Sequence, residues 1–167
     1  MEEIINKVAA SGLVTIDLEE MYPAGDRLEL DIAPLLWQGL ALREKDFREW
    51  IAQHDWSLYQ GKHVAFYCSA DAIIQPWAFM LVASKLSECA TTAVQGRREE
   101  LENVLFRAVI DELDVEHYRE KRCVIKGCSN KPVPASAYAY LVTRLQPVAK
   151  SIMFGEPCST VPVFKRS

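Results

Sequence analysis

Val64-Ala65-Phe66-Tyr67-Cys68-Ser69-Ala70-Asp71, continued by AIIQPWAFMLVASKL through Leu86, decides the fold. His63 to Tyr67 is a short unbroken apolar run of the kind that fills a buried strand. Pro76 suits the first turn of a helix, where its missing N–H costs nothing, and the apolar spacing carries that helix to about Leu86. Downstream the alternation continues. Thr91 to Gln95 reads as a second strand. Arg98 to Leu113 is an amphipathic helix with Leu101, Val104, Leu105, Ala108, Val109 and Leu113 at helical spacing. Arg122 to Lys126 is a third strand, and Ala135 to Met153 reads as mostly helix, kinked or interrupted at Pro147. Strands separated by helices of this length predict right-handed βαβ crossovers and a mainly parallel sheet, hence a three-layer α/β fold over residues 63–154.

Upstream, Glu2 to Ala10 places Ile4, Ile5 and Val8 on one helical face, with Gly12 set to end it. Leu13–Leu18 (LVTIDL) and Arg27–Ile32 (RLELDI) alternate like strands, and Tyr22-Pro23-Ala24-Gly25-Asp26 between them has turn chemistry. The expectation is an antiparallel pair extending the sheet. Gly39–Arg43 reads as another short strand. The following helix puts Phe47, Trp50, Ile51 and His54 on one stripe. No linker rich in Gly, Ser or Pro divides the chain. We therefore expect one domain over 1–167, with a helix, strand pair and helix in 1–60 and a βαβαβα core with an extended tail in 61–167.

The 167 residues are half apolar and a quarter charged, with a net charge of −4, the balance of an ordinary packed protein. No block of like charge suggests a nucleic-acid footprint. The start, MEEIINKVAA, is acidic rather than a secretory leader, and the longest apolar run, Trp77 to Ala83, is short of a membrane span. A cytoplasmic protein that engages neither membrane nor nucleic acid is expected. Five cysteines in such a setting stay reduced, so each is core filler, ligand or nucleophile.

Two segments resemble one another: VAFYCSADAIIQPWAFMLVASKL (Val64–Leu86) and VIKGCSNKPVPASAYAYLVTRL (Val124–Leu145), about sixty residues apart and alignable with one inserted residue. Each passes from an apolar strand through Cys-Ser into a loop with proline near the helix start. A third Cys-Ser, Cys158-Ser159, lies in the tail. With five cysteines and ten serines in the chain, even one such pair is uncommon. Cys89, after an apolar helix, and Cys123, inside a strand, read as core residues. Cys68 and Cys128 each fall just past a strand, where open α/β sheets bind ligands. A strand order of second–first–third would make those two strands neighbours.

The candidate site is therefore Cys68, Ser69, Asp71, Cys128, Ser129, Lys131, Cys158 and Ser159. Three thiolates at Cys68, Cys128 and Cys158 could hold zinc with a fourth ligand, or an iron–sulfur cluster with one open iron; a low-pKa thiol could carry sulfur instead. Each serine hydroxyl could donate to its thiolate or bind an incoming anion. Asp71 is a base, a ligand or, more simply, a helix N-cap. No CxxC, GxGxxG, P-loop or nucleophile elbow is present, and His54, His63 and His117 share no metal spacing. The tail, with Pro157 and Pro162, reads as an extended edge segment, either folding back over the crevice or acting as a dimerising arm. Two other classes stay open: a non-catalytic interaction protein with structural cysteines, and a binder of small anions at the strand-end crevice using Lys126 and Lys131.

The stretches VTIDLEE, FREW, HDWSLYQGKHVAFYCSADAIIQPWAFMLVASKL, KGCSNKPVPASAY and LQPVAKSIMFGEPCSTVP resemble the domain-of-unknown-function 2480 family of Bacteroidetes proteins. The resemblance covers nearly the whole chain, and the three Cys-Ser stretches are its most distinctive parts. It implies a small cytosolic bacterial protein. It also implies gene neighbours in sulfur mobilisation and iron–sulfur assembly, and so sulfur-transfer or cluster-assembly partners, which is association rather than chemistry.

Overall fold

A computed structural model describes residues 12–126 and 130–167. Among these, seven strands and four α-helices follow one another as β1 (Leu13–Asp17), β2 (Arg27–Asp31), α1 (Glu44–Gln53), β3 (His63–Tyr67), α2 (Pro76–Leu86), β4 (Thr92–Gln95), α3 (Arg98–Asp111), β5 (Arg122–Lys126), α4 (Ala135–Leu145), β6 (Ser151–Glu156) and β7 (Ser159–Lys165). The α/β class and the predominance of parallel pairing are as expected. The residues gather into two compact units. The inserted unit is Ala24–Val104; the split unit joins Met1–Pro23 to Leu105–Ser167, and one boundary falls within α3.

The inserted unit holds a three-stranded sheet in the order β2-β3-β4, parallel throughout. Its core is Leu30, Ile32, Phe47, Ile51, Val64, Phe66, Ala78, Val82 and Leu86. The split unit holds a four-stranded sheet, β1-β5-β6-β7, parallel except for β7. Its core is Ile16, Leu18, Phe106, Ile110, Cys123, Ile125, Ala137, Leu141, Leu145 and Ile152. Fully burying one such leucine is worth roughly 1.5–3 kcal/mol.

Two expectations about strands are corrected here. Leu13–Leu18 and Arg27–Ile32 do not form an antiparallel pair: β1 joins β5 and β2 joins β3, both in parallel. The hydrogen-bonded turns close at Leu18–Tyr22, ahead of all but the first residue of the Tyr22–Asp26 stretch, and pairing is chosen by distant strands, which local turn chemistry cannot report. The last helix ends at Leu145, and Ser151–Glu156 is a strand. Pro147 stops the helix rather than kinking it, because a helix cannot regain its ladder where the N–H is missing. Gly39–Arg43 contributes only an isolated bridge, Trp37 to Ala41. The Glu2–Ala10 helix lies outside the described residues.

The two units repeat one another. Adding 59 to a residue number carries β3 onto β5, α2 onto α4 and β4 onto β6 end to end at their first residues. Two short 3-10 turns, Trp56–Tyr59 and Val115–Tyr118, obey the same offset, each capped by an aspartate, Asp55 or Asp114. So do core residues: Phe47 and Phe106, Ile51 and Ile110, Val64 and Cys123, Leu86 and Leu145. Even the backbone agrees. Gly61 and Glu120 both have positive φ, 69° and 57°, as do Gly96 and Gly155, at 138° and 121°. The first strands match at an offset of 14, since Leu13 pairs with Arg122 as Arg27 pairs with His63. The repeat therefore needs no inserted residue, and it sets Cys68 against Gly127 and Ser69 against Cys128. The two Cys-Ser pairs are one position out of register.

Candidate functional site

In the inserted unit the carboxyl ends of β3 and β4 open into a cleft of about 390 Å³. Its wall includes Tyr67, Cys68, Ile74, Phe79, Gln95 and Gly96. Cys68 leaves β3 at the point where the parallel ladder ends, so its side chain is partly buried and carries a free thiol, whose Sγ is 3.9 Å from the Ala70 carbonyl. The Arg97 guanidinium lies over the Tyr67 ring, 4.6 Å from its centre, a cation–π contact at the edge of this wall.

Ser69 does not serve the thiol as expected. Its N–H and its hydroxyl both donate to Asp31, at 2.9 and 2.5 Å, and Asp31 also accepts the Ala33 N–H at 2.9 Å. Asp31 ends β2 beside the end of β3, so the carboxylate clamps the loop that presents Cys68. Burial pushes the Asp31 carboxyl up, but the bonds from Ser69 and Ala33 and the charge of Arg97 outweigh it and hold the group below its ordinary value. Asp71 is exposed and lies outside the helix cap: α2 is capped at Gln75, without a side-chain bond. The capping role is withdrawn because the loop is longer than the Asp-to-helix spacing allows.

In the split unit the equivalent clamp uses Glu19. This buried carboxylate accepts the N–H groups of Asn130 and Lys131, at 2.9 and 3.3 Å, and the Lys131 ammonium reaches the Glu19 carbonyl at 3.4 Å and sits over the Tyr22 ring. Lys131 thus anchors a loop. Lys126 lies 3.6 Å from Glu156 and 4.0 Å from Asp17, so its charge is engaged by carboxylates rather than offered to an anion. Cys128 and Ser129 lie outside the described residues. Cys158, exposed, forms with Pro157 the two-residue turn of the β6–β7 hairpin, and Ser159 opens β7. The tail is therefore an edge strand of the split unit.

The strand order that would have made β3 and β5 neighbours does not occur: they belong to different sheets. Cys68 belongs to the inserted unit and Cys158 to the split one. Among the described residues, no group of three His, Cys, Asp or Glu side chains could hold a metal ion. Cys123 is buried, and burial pushes its thiol up to about 11, as its reading as a core residue implies. Cys89 is partly buried and turned toward the Lys85 and Leu86 carbonyls.

Asp31, Glu19 and Arg97 were not singled out from the sequence. The usable signal was the shared ending of the two strands, Thr15-Ile16-Asp17 and Glu29-Leu30-Asp31, each an acid where a parallel ladder stops. In both, the aspartate accepts an N–H two residues on.

The fold and cleft define an α/β protein built from two related parallel-sheet units. The chain belongs to a family described as a protein of unknown function, DUF2480, whose profile matches residues 2–166. No curated protein and no solved structure matches it. None of the described helices is long and apolar enough to cross a membrane.

Proposed function

We propose that the chain is a small-molecule binding protein whose site is the strand-end cleft of the inserted unit, with the Cys68 thiol as its reactive group. One observation carries this: a free thiol lines a cleft of mixed polarity, with Ile74 and Phe79 on its wall, at the carboxyl ends of parallel strands, where ligands of such sheets bind. Asp31 and Ser69 hold the thiol-bearing loop in place, and Arg97 offers positive charge at the edge for an acidic group on the ligand. Sulfur or iron–sulfur handling at the Cys-Ser thiols is the narrower form of the proposal, with no common site for Cys68, Cys128 and Cys158 assumed. It draws on the three Cys-Ser pairs and the family resemblance. The cleft itself requires no metal.

Labelling kinetics test it. Cys68 and Cys158 are alkylated side by side with iodoacetamide and with N-phenyl chloroacetamide, and each site is followed by peptide mass spectrometry. The aromatic reagent is expected to raise the Cys68 to Cys158 rate ratio about tenfold, because its ring is bound before the thiol reacts. Ala72→Trp, which fills the cleft, should abolish that gain. An unchanged ratio defeats the cleft reading. Anaerobic purification with a visible spectrum and metal analysis decides the narrower form.

A homodimer is a second reading, favoured by the edge strand β7, where Val161 and Val163 are 62% and 51% exposed. Pro162 interrupts the free ladder, so side chains rather than strand addition would carry it. Sedimentation of the wild type against Val161→Lys distinguishes a dimer from a monomer.

A further inference from the structure

We propose that the split unit carries a second binding site, for a small amphipathic anion, a carboxylate or phosphate monoester on an apolar body. The site is a cleft of about 470 Å³ at the amino ends of β1, β5 and β6, the end of the sheet opposite to that where Lys126 and Lys131 lie. It is independent of the Cys68 cleft.

The placement follows from strand register. Leu13 pairs with Arg122, Arg122 with Ser151, and Ser151 with Lys165, so these four residues stand in one rung across all four strands. Residues in one rung project to the same face, with strands about 4.8 Å apart. The Ser151 hydroxyl is thereby flanked by a guanidinium on one side and an ammonium on the other. Lys150 adds a third cation, and its backbone is pinned from both sides: its N–H donates to the Lys121 carbonyl at 2.8 Å and its carbonyl accepts from Arg166 at 2.9 Å.

The charges are unbalanced. Among the described residues, Arg122, Lys150 and Lys165 form no ion pair, although adjacent Arg166 holds Glu120 at 3.3 Å and Arg119 holds Glu116 at 2.7 Å. The chain as a whole is acidic, at −4, so three cations around one cleft with no carboxylate partner among the described residues are no reflection of composition. Like charges abreast in a sheet repel. An anion seated over Ser151 converts that repulsion into attraction, with the hydroxyl as an additional donor. The remaining wall (Leu13, Met153, Pro162 and Phe164) is apolar and suits an attached hydrocarbon or ring.

Calorimetric titration of the full chain with octyl phosphate, octanoate and octanol tests this. At least one of the two anions is expected to bind saturably at one site, about tenfold or more tighter than octanol, and to weaken with added salt. The tighter anion identifies the head group. The double variant Lys150→Gln/Lys165→Gln should lose about tenfold in affinity for it, while Lys45→Gln, on α1 in the other unit, should lose nothing. Circular dichroism checks that the double variant is folded; if it is not, the comparison with octanol in the wild type decides alone. Absence of saturable binding by both anions, or octanol binding as tightly as they do, overturns the proposal.

Discussion

The inserted and split units share a plan and part company at their edges. Both place a strand, a helix, an aspartate-capped 3-10 turn, a central strand, a second helix and a third strand in the same register. Equivalent apolar positions fill both cores. What differs lies where each unit meets solvent or continues the chain. Past Gly96 the inserted unit enters α3, and past Gly155 the split unit turns through Pro157-Cys158 into β7. At the first strand, Arg27 stands where Leu13 stands in the other copy. Each core is constrained by its own internal packing, so equivalent apolar positions stay alike, whereas strand ends are free to acquire different polar groups. That is where the two proposed sites lie, at opposite ends of their sheets.

The largest expected effect tests the difference at the first strand. Arg27 donates to both oxygens of Glu102, at 2.9 and 3.2 Å, and Arg98 adds a bond to Glu102 at 2.8 Å. The Arg27 and Glu102 side chains are 4% and 8% exposed. Removing Glu102 takes away the buried carboxylate that two guanidinium groups share and leaves Arg27 only its other bonds, such as that to the Gly25 carbonyl at 2.6 Å, so Glu102→Ala should cost about 3–5 kcal/mol in urea unfolding. The double change Arg27→Leu/Glu102→Leu, which imitates Leu13, should recover most of that loss. Failure to recover would mean that the pair is required by the packing of this unit and is no mere local variation on the repeat.

The next effect tests the similarity. Leu86 and Leu145 are both fully buried at equivalent positions closing α2 and α4. Leu86→Ala and Leu145→Ala should each cost about 2–5 kcal/mol, by lost burial and the cavity left behind. Near-equal losses in one cooperative transition would show the units unfolding together. Two transitions, each shifted by only one variant, would show them folding separately.

How much of this was legible in the sequence depends on the range of the interaction. The boundaries of β3, β5 and α2 were read correctly because a continuous apolar run and a first-turn proline are local signals. The strand at Ser151–Glu156 was missed because Ile152, Met153 and Phe154 continue the apolar spacing of the preceding helix. The pairing of β1 and β2 was misread because their partners lie 109 and 36 residues away along the chain (Leu13 to Arg122, Arg27 to His63). The repeat is legible, but its two Cys-Ser pairs suggest a register one residue away from the true one. Asp55, Tyr59 and Lys62 against Asp114, Tyr118 and Lys121 would have set it correctly. Of the site, Cys68 at a strand end was readable; the Asp31 clamp across 38 residues was not.

The strand-end aspartates, Asp31 and Asp17, give the smallest effect and the sharpest contrast. Asp31 holds Ser69 by two bonds and Ala33 by a third, whereas Asp17 accepts the Glu19 N–H at 2.9 Å and approaches Lys126 only to 4.0 Å. At neutral pH, Asp31→Ala should therefore cost about 1–2 kcal/mol, and Asp17→Ala less than about 1. The pH dependence follows from the sign of the Asp31 shift. Its carboxyl titrates below the ordinary 3.8 when folded, so the unfolded chain binds the proton more tightly. The contribution of this group is complete above that ordinary value and is lost as pH falls through the lower, folded one. The stability gap between wild type and Asp31→Ala should thus stay constant from neutral pH to about 4.5 and narrow below it. In the same range Cys68 should become more accessible to a thiol reagent active in acid, such as a dipyridyl disulfide, because protonating Asp31 weakens its hold on Ser69. A gap that narrows without any change at Cys68 would separate the clamp from the thiol and leave the loop held by its apolar contacts alone.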